Sequence, residues 1–329
     1  MSAGDLVVVF GGSGFIGKQV VRALAKRGYR VRIAIRRPHL GAELRVMGDV
    51  GQVQLMQANV RFPESIDAAL EGATAVVNLV AVLSEKGKQN FEALHVDAAQ
   101  AIAEAAKKRG ITRFVQMSAL GAGPKGSRYG RTKFRGEQVV REAVPTATVL
   151  RPSIVFGPED HFFNRFAGDA RFASIFPLGG LMLVDGGKTK FQPVFVGDVA
   201  DAVCEALDRS DARGRTYELG GPRVYSFKQL MQYMLSEIGR RVILFPLPSF
   251  FAMPIGLLTD WAFKLLPMDP PLTGDQVTML QKDSVVGADP AAGKIQDLGV
   301  TSLESVEAIA PNYLWRFRSY GQFQTNQTA

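Results

Sequence analysis

The chain has 329 residues, of which 47% are hydrophobic, and its 39 basic against 31 acidic side chains give a formal net charge of +8. This size and apolar fraction fit a globular protein with an ample core, built as one elaborated domain or as a large domain with a smaller lobe. The basic excess favours an acidic partner, its spread along the chain argues against nucleic acid, and the single Cys204 excludes an intrachain disulfide.

The first predicted element is a buried strand, Asp5 to Phe10, which runs into a glycine-rich turn and then a helix from Lys18 to Arg27. In such a unit, one glycine makes the tight turn, a second lets the backbone approach a pyrophosphate, and a third lets helix and strand pack closely. The helix N-terminus adds N–H groups and a positive dipole. We therefore predict a dinucleotide phosphate on a turn made of Gly11, Gly12, Ser13, Gly14, Phe15, Ile16 and Gly17.

The residues that follow the second predicted strand, Arg30 to Ile35, indicate which dinucleotide binds. NAD is held by an Asp or Glu at this strand end, which bonds the ribose 2′-hydroxyl. Arg36 and Arg37 stand here instead, and guanidinium groups bind a 2′-phosphate in a bidentate, charge-assisted way. The sequence therefore predicts NADP(H); the alternative is that both arginines only face solvent.

The rest of the first half alternates short apolar runs with helical patterns, which is typical of a doubly wound parallel sheet. The predicted strands are Val53 to Gln57, Thr74 to Val82, Arg113 to Ser118 and Thr146 to Leu150, and the predicted helices are Pro63 to Leu70, Phe91 to Lys108 and Lys133 to Ala143. We predict an α/β fold, with a Rossmann-type doubly wound parallel sheet in residues 1–157. A smaller C-terminal lobe, 158–321, returns some segments to the sheet and precedes a polar tail, 322–329.

Three residues of the first half have the chemistry that carbonyl reduction needs. Tyr129 and Lys133 lie one helical turn apart on one face, and Ser118 ends the preceding strand. A nearby ammonium favours the phenolate of a tyrosine, whose pKa is otherwise about 10, while a serine hydroxyl can orient a substrate carbonyl. We predict Ser118, Tyr129 and Lys133 as a catalytic set, of which Tyr129 and Lys133 also hold the cofactor.

Longer motifs give the chain a family resemblance. Its Asn78-Leu79-Val80-Ala81, Arg151-Pro152-Ser153-Ile154-Val155-Phe156-Gly157 and Val194-Phe195-Val196-Gly197-Asp198-Val199-Ala200 stretches resemble the short-chain dehydrogenase/reductase superfamily in its extended, epimerase-like form. A narrower resemblance, to the NADPH-binding accessory subunits of respiratory complex I, is carried by Tyr129-Gly130-Arg131-Thr132-Lys133-Phe134-Arg135-Gly136-Glu137 and by Phe156-Gly157-Pro158-Glu159-Asp160-His161-Phe162-Phe163-Asn164-Arg165-Phe166-Ala167. The last stretch is the most specific, because ordinary reductases do not usually continue in this way.

The narrower resemblance implies a non-catalytic accessory subunit of complex I (NADH:ubiquinone oxidoreductase) that holds NADPH tightly. Such a subunit supports assembly or stability at the junction of the membrane with the peripheral arm. The resemblance also implies cofactor contacts from Val80, Ala81 and Pro152, and from Asn59, which stands where the superfamily often has an acid. A free-standing NADPH-dependent reductase or epimerase and an NADP(H)-sensing regulator remain the alternatives.

The most apolar stretch, residues 242–268, lies in the C-terminal third. Pro246, Pro248 and Pro254 argue against a membrane-spanning helix, and from Ile255 the pattern is amphipathic, which suits a membrane interface, a partner subunit or a core helix. With the net charge of +8, this favours a peripheral protein on an anionic membrane surface, in contact with other complex I subunits.

Two further expectations concern location and metal. The N-terminus enters a strand almost at once, so the sequence predicts no transit peptide and a place on the cytoplasmic face of a bacterial inner membrane. His39, His95 and His161 have no His, Cys or acidic neighbours at convincing ligand spacing, so no metal site is predicted.

Overall fold

The computed structural model describes residues 4–85, 87–175, 179–248, 250, 254 and 274–323. These residues form two compact units. Unit 1 holds the described residues up to Pro152 together with Val196–Leu219 and Val286–Ser302, and unit 2 holds the described residues of the other segments. The chain therefore leaves unit 1 at Pro152 and returns to it twice, while the sequence-based boundary at residue 157 stays a prediction.

Unit 1 is built on one sheet, whose strands are β1 (Leu6–Phe10), β2 (Arg30–Ile35), β3 (Val53–Gln57), β4 (Ala75–Asn78), β5 (Arg113–Met117), β6 (Thr148–Pro152), β11 (Thr216–Leu219) and β14 (Gly293–Lys294). Among the described residues these strands all pair in parallel, in the order β14-β11-β6-β5-β4-β1-β2-β3. The direction of winding reverses between β1 and β4. In open α/β sheets, ligands bind in the crevice at the carboxyl ends of the strands on either side of such a reversal.

The helices of unit 1 are α1 (Phe15–Lys26), α2 (Pro63–Ala69), α3 (Ala98–Lys108), α4 (Arg128–Ala143) and α6 (Val196–Asp208). Helices α2, α3 and α4 share a core with alternate residues of β1, among them Val8 and Phe10, while α1 packs beside α6. The intervening β1 residue Val9 lies on the α1 side, since it approaches Gly12 together with Val21 of that helix. Both faces of the sheet are thus covered, which confirms the predicted doubly wound fold.

Several element ends differ from the predicted ones for local reasons. Strand β4 stops at Asn78, four residues before the predicted end, because the Asn78 carboxamide oxygen accepts the Val80 N–H at 3.1 Å and turns the chain. Helix α4 starts at Arg128, because the Ser127 hydroxyl caps it by accepting the Gly130 N–H at 3.1 Å. Residues Glu92–Asp97, predicted as ordinary helix, form a π-helical turn before α3.

Unit 2 consists of short paired strands and helices around an aromatic core. Its strands are β7 (Val155–Phe156), β8 (Gly180–Val184), β9 (Lys190–Phe191), β10 (Val194–Phe195), β12 (Tyr225–Ser226) and β13 (Ile243–Leu247), and its helices are α5 (Phe163–Ala173), α7 (Phe227–Ile238), α8 (Gly274–Leu280), α9 (Val306–Ile309) and α10 (Pro311–Leu314). Phe156, Phe163 and Phe227 are fully buried in this core. The predicted amphipathic segment from Ile255 and the end of the tail, 324–329, lie outside the described residues.

The motif that carries the narrower resemblance anchors the C-terminal segment within unit 2. The buried Asp160 carboxylate accepts the N–H groups of Phe162 and Asn164, and it accepts the Tyr313 hydroxyl at 2.7 Å. Arg316 donates to the Asn164 carboxamide oxygen at 2.6 Å. The motif therefore has a structural role, which is to hold α10 and the aromatic, basic residues after it against α5.

Candidate dinucleotide site

The glycine turn lies at the reversal of the sheet, between β1 and α1. Gly11 has φ +82°, and a Cβ there would lie 3.0 Å from the Leu79 carbonyl carbon, so the residues after β4 form a wall beside the turn. A Cβ on Gly17 would lie 2.3 Å from the Gly11 oxygen, which is why helix and turn pack this closely only with glycine. Both positions fit the roles that a pyrophosphate-binding turn requires.

The N-terminus of α1 is open toward this turn. Gly14 is the N-cap residue, no side chain caps the helix, and no acidic residue lies in its first turn. Ser13 and Gly14 are exposed, while Phe15 and Ile16 are half-buried. First-turn N–H groups and the helix dipole are therefore directed at a position where an anion is stabilised.

The predicted 2′-phosphate residues follow the strand next to β1. Arg36 and Arg37 are exposed after β2, and within the part of the chain that the structure describes neither forms an ion pair. Because β1 and β2 are parallel neighbours, their carboxyl ends share one edge of the sheet. Asn59 follows β3 at the same edge, where its carboxamide oxygen accepts the Arg61 N–H at 3.2 Å.

Lys133 lies deep in unit 1. Its side chain is buried, and Nζ donates to the Met117 carbonyl oxygen at 2.7 Å. Burial lowers the pKa of Lys133 from 10.5 to about 8. The negative charge of Glu137, one turn further along α4, raises this pKa but does not outweigh the burial. The ammonium is thus held at the end of β5, next to Ser118.

Tyr129 is also buried, with its ring enclosed by two aromatic neighbours. The ring meets His95 edge to face at 5.2 Å between centroids and Phe91 in the same way at 5.7 Å. The His95 Nδ1 contacts the Thr132 hydroxyl at 2.9 Å, and the Val82 N–H donates to His95 Nε2 at 3.3 Å. His95 therefore joins α4 to the residues after β4.

Ser118 is engaged by a buried ionic network. Its hydroxyl donates to the Glu137 carboxylate, which also accepts Arg151 Nε at 2.9 Å and Nη2 at 2.6 Å. Arg151 Nη1 reaches Asp289 at 2.9 Å. Burial by itself would lower the pKa of Arg151. The hydrogen bonds and negative charges of Glu137 and Asp289 outweigh burial, so the pKa is raised. A serine has one proton to donate, so this arrangement leaves none for a substrate carbonyl.

The structure brings the predicted site residues together in two places, at the glycine turn and at the end of β5. Gly11 meets Leu79 and Val80 at the turn, and Lys133 meets the β5 end beside Ser118. Ala81 is exposed and Pro152 ends β6, where its carbonyl accepts the Leu120 N–H at 2.8 Å.

Sequence reasoning missed the roles of His95, Glu137 and Arg151. The charged pair had a signal, since Glu137 shares the buried face of α4 with Lys133, and Arg151 lies within the buried strand β6. Buried charges are almost always paired, which would have suggested a contact between them. For His95 the helical pattern gave no comparable signal.

Among the described residues there is neither a cluster of metal-ligating side chains nor a helix that could span a membrane. No group of three or more His, Cys, Asp or Glu side chains there is arranged to hold a metal ion. None of the helices in the described ranges has the length and apolar character needed to cross a membrane.

Comparison with known proteins extends the similarity over nearly the whole chain. Residues 7–220 match the profile of the NAD dependent epimerase/dehydratase family. Mitochondrial proteins named NADH dehydrogenase (ubiquinone) 1 alpha subcomplex subunit 9, from Rattus norvegicus and Arabidopsis thaliana, are each 35% identical; the alignments cover 96% and 97% of this chain and 83% and 79% of those proteins. The structure of a nucleoside-diphosphate-sugar epimerase from Staphylococcus aureus has a TM-score of 0.69 at 13% identity, over 92% of this chain and 98% of that one, and bears on the fold alone.

Proposed function

The chain belongs to the NAD dependent epimerase/dehydratase family, and on that premise we propose that it is a non-catalytic accessory subunit of respiratory complex I that holds NADP(H). The observation that carries the proposal is the 35% identity with the rat NADH dehydrogenase subunit across 96% of this chain. Similarity over that length includes unit 2 as well as the dinucleotide fold, and so it reaches beyond the features that all family members share.

Membership of the family makes the bound group a nicotinamide dinucleotide, and the open turn at Gly11–Gly17 fits its pyrophosphate. The preference for NADP(H) is our proposal. It is supported by the exposed guanidinium groups of Arg36 and Arg37 after β2, which form no ion pair with any residue in the described ranges and stand in place of the carboxylate that binds an NAD ribose. When bound, the dinucleotide supplies a hydride donor or acceptor; the residues described here bind and enclose it.

Exchanging the two arginines tests this preference. The double variant Arg36→Asp, Arg37→Ala is expected to weaken NADPH binding at least about tenfold, because two charge-assisted contacts to the 2′-phosphate are lost and one charge is reversed. NADH binding should change much less. Isothermal titration of both nucleotides measures the ratio, and equal losses for the two would contradict the NADP(H) assignment.

The contacts of Ser118 support a cofactor that is held and not turned over. Carbonyl reduction needs a hydroxyl that donates to the substrate oxygen, whereas the Ser118 hydroxyl donates to buried Glu137, which two Arg151 nitrogens fix in place. In this proposal Tyr129 and Lys133 have no catalytic role and serve to bind the dinucleotide.

The surface of unit 2 supports attachment to a larger assembly. At the end of α5, Phe172 and Ile175 are exposed by 66% and 71%, beside Ser174, which accepts a hydrogen bond from Arg240 at 2.8 Å. Exposed apolar side chains beside an arginine suit partner subunits or an anionic lipid surface. The proposal accordingly extends to a peripheral position on the cytoplasmic face of a bacterial inner membrane.

Solubilised membranes of the native cells provide the test. Under mild detergent this chain is expected to migrate with complex I, and its deletion should reduce the amount of assembled complex. A Tyr129→Phe variant should restore assembly fully, because the phenol performs no reaction. A chain found only as a soluble homodimer would contradict the proposal.

The Tyr129 and Lys133 pair supports the second candidate, a free-standing NADPH-dependent reductase or epimerase. Both residues are buried on one face of α4, and the lowered pKa of Lys133 is a feature shared with catalytic lysines. Loss of function in Tyr129→Phe with normal folding would favour this candidate over the accessory subunit.

A further inference from the structure

The loop that follows β4, residues Leu79–Val82, is held in place from inside unit 1. We call it the β4 loop. Its backbone borders the glycine turn, since a Cβ on Gly11 would lie 3.0 Å from the Leu79 carbonyl carbon. The Val80 N–H donates to the Asn78 carboxamide oxygen at 3.1 Å, and the Val82 N–H donates to His95 Nε2 at 3.3 Å. Two side chains thus fix the backbone of a loop that forms one wall of the dinucleotide site.

The hydrogen bonds of His95 define one tautomer. Because Nε2 accepts the Val82 N–H, the neutral ring carries its proton on Nδ1, which donates to the Thr132 hydroxyl at 2.9 Å. The Thr132 hydroxyl in turn donates to the Tyr129 carbonyl oxygen at 3.0 Å. Burial and the charge of Lys133 lower the pKa of His95 to about 3, so the ring stays neutral at any physiological pH.

The position of His95 relative to α4 is fixed as well. The residue lies in the π-helical turn Glu92–Asp97, a feature that is frequent at functional sites. A Cβ on Gly136 would lie 2.2 Å from the His95 carbonyl oxygen, so the turn packs directly on the α4 backbone. The ring is stacked on Phe91 at 5.3 Å between centroids and meets Tyr129 edge to face.

We propose that His95 is a positioning residue that clamps the β4 loop to α4, so that the wall of the dinucleotide site keeps its shape without nucleotide and NADP(H) leaves slowly. This inference rests on the proposed function, in which the cofactor is retained. A wall that is already ordered imposes no ordering cost on binding, and a loop that does not open slows release. The clamp holds the loop through the contact between Nε2 and the Val82 N–H.

Two variants separate this contact from the packing of the ring. His95→Gln places an amide oxygen at the depth of Nε2 and can still accept the Val82 N–H. His95→Asn is shorter; its amide reaches only the depth of Nδ1 and can serve Thr132 but not Val82. Both variants lose the aromatic ring equally, so each is a control for the other.

The first measurement is the release of NADPH from the loaded protein, followed by its fluorescence after an excess of NADP⁺ is added. Release from the Asn variant is expected to be about tenfold faster than from the Gln variant, which corresponds to about 1.4 kcal/mol. Equal release rates from the two variants would show that only the ring matters and would overturn the proposal.

The second measurement, amide hydrogen exchange of the peptide that contains the β4 loop, uses the nucleotide-free protein. The loop should be protected in the wild type and in the Gln variant, and should exchange about tenfold faster in the Asn variant. Unchanged exchange in the Asn variant would overturn the clamp. A wild type that retains no NADPH, but whose loop loses protection in the Asn variant, would keep the clamp and refute the cofactor assignment.

Discussion

Replacing Glu137 by leucine is expected to lower the free energy of unfolding by about 3–5 kcal/mol, the usual cost of removing one partner of a buried ion pair. Glu137 is 2% exposed and accepts two bonds from Arg151 and one from Ser118. Leucine would leave a buried guanidinium whose remaining ion pair among the described residues is with the partly exposed Asp289. Urea-induced unfolding, with the wild type measured in parallel, gives the difference.

A double variant and a surface pair provide the controls. Glu137→Leu combined with Arg151→Met should recover most of the lost stability, because an apolar pair of similar volume needs no compensation for buried charge. On the exposed side of α4, Arg135 pairs with Glu92 at 2.8 Å with both side chains about half-exposed. Glu92→Gln should cost less than about 1 kcal/mol. A cost for Glu137→Leu that is as small as this one would contradict the described network.

Much of the fold was predictable because its signals are local. Strands β2 and β3 have the predicted bounds, since each is a short apolar run that follows a glycine at positive φ, Gly28 before β2 and Gly51 before β3. The glycine turn and its place after β1 followed from spacing alone, and the family match and relatives confirm the predicted resemblance to the extended reductases and to complex I subunits.

The features that were missed depend on which distant residues the sheet brings together. Arg151 and Glu137 meet because β6 lies next to β5 and α4 packs across them. The residues next to either one in the sequence do not indicate this contact. The end of β4 was placed too late because Leu79 to Val82 are as apolar as a strand, and only the side-chain bond from Asn78 ends it. The π-helical turn depends on its close contact with Gly136, which no helical pattern shows.

Lys133→Met is expected to remove a pH dependence of stability and to weaken NADPH retention. Burial lowers the pKa of Lys133 from 10.5 to about 8, so between these values the unfolded chain binds more protons than the folded one. Stability therefore rises with pH across this window, and the burial penalty is fully present below about pH 8. Across the whole window the free energy of unfolding rises by on the order of 3 kcal/mol because of Lys133.

The measurement is the free energy of unfolding of the nucleotide-free protein from pH 7 to pH 10.5, taken as wild type minus variant. For Lys133→Met, this difference should rise by on the order of 3 kcal/mol as the pH is raised. Methionine does not titrate, and the contributions of all other titrating groups are the same in both proteins and cancel in the difference. Lys107→Met, on the exposed side of α3, should give a flat difference. A flat difference for Lys133→Met would mean that its ammonium is solvated. Weaker NADPH retention together with higher stability at pH 7 would show that the fold tolerates a buried charge for the sake of the cofactor.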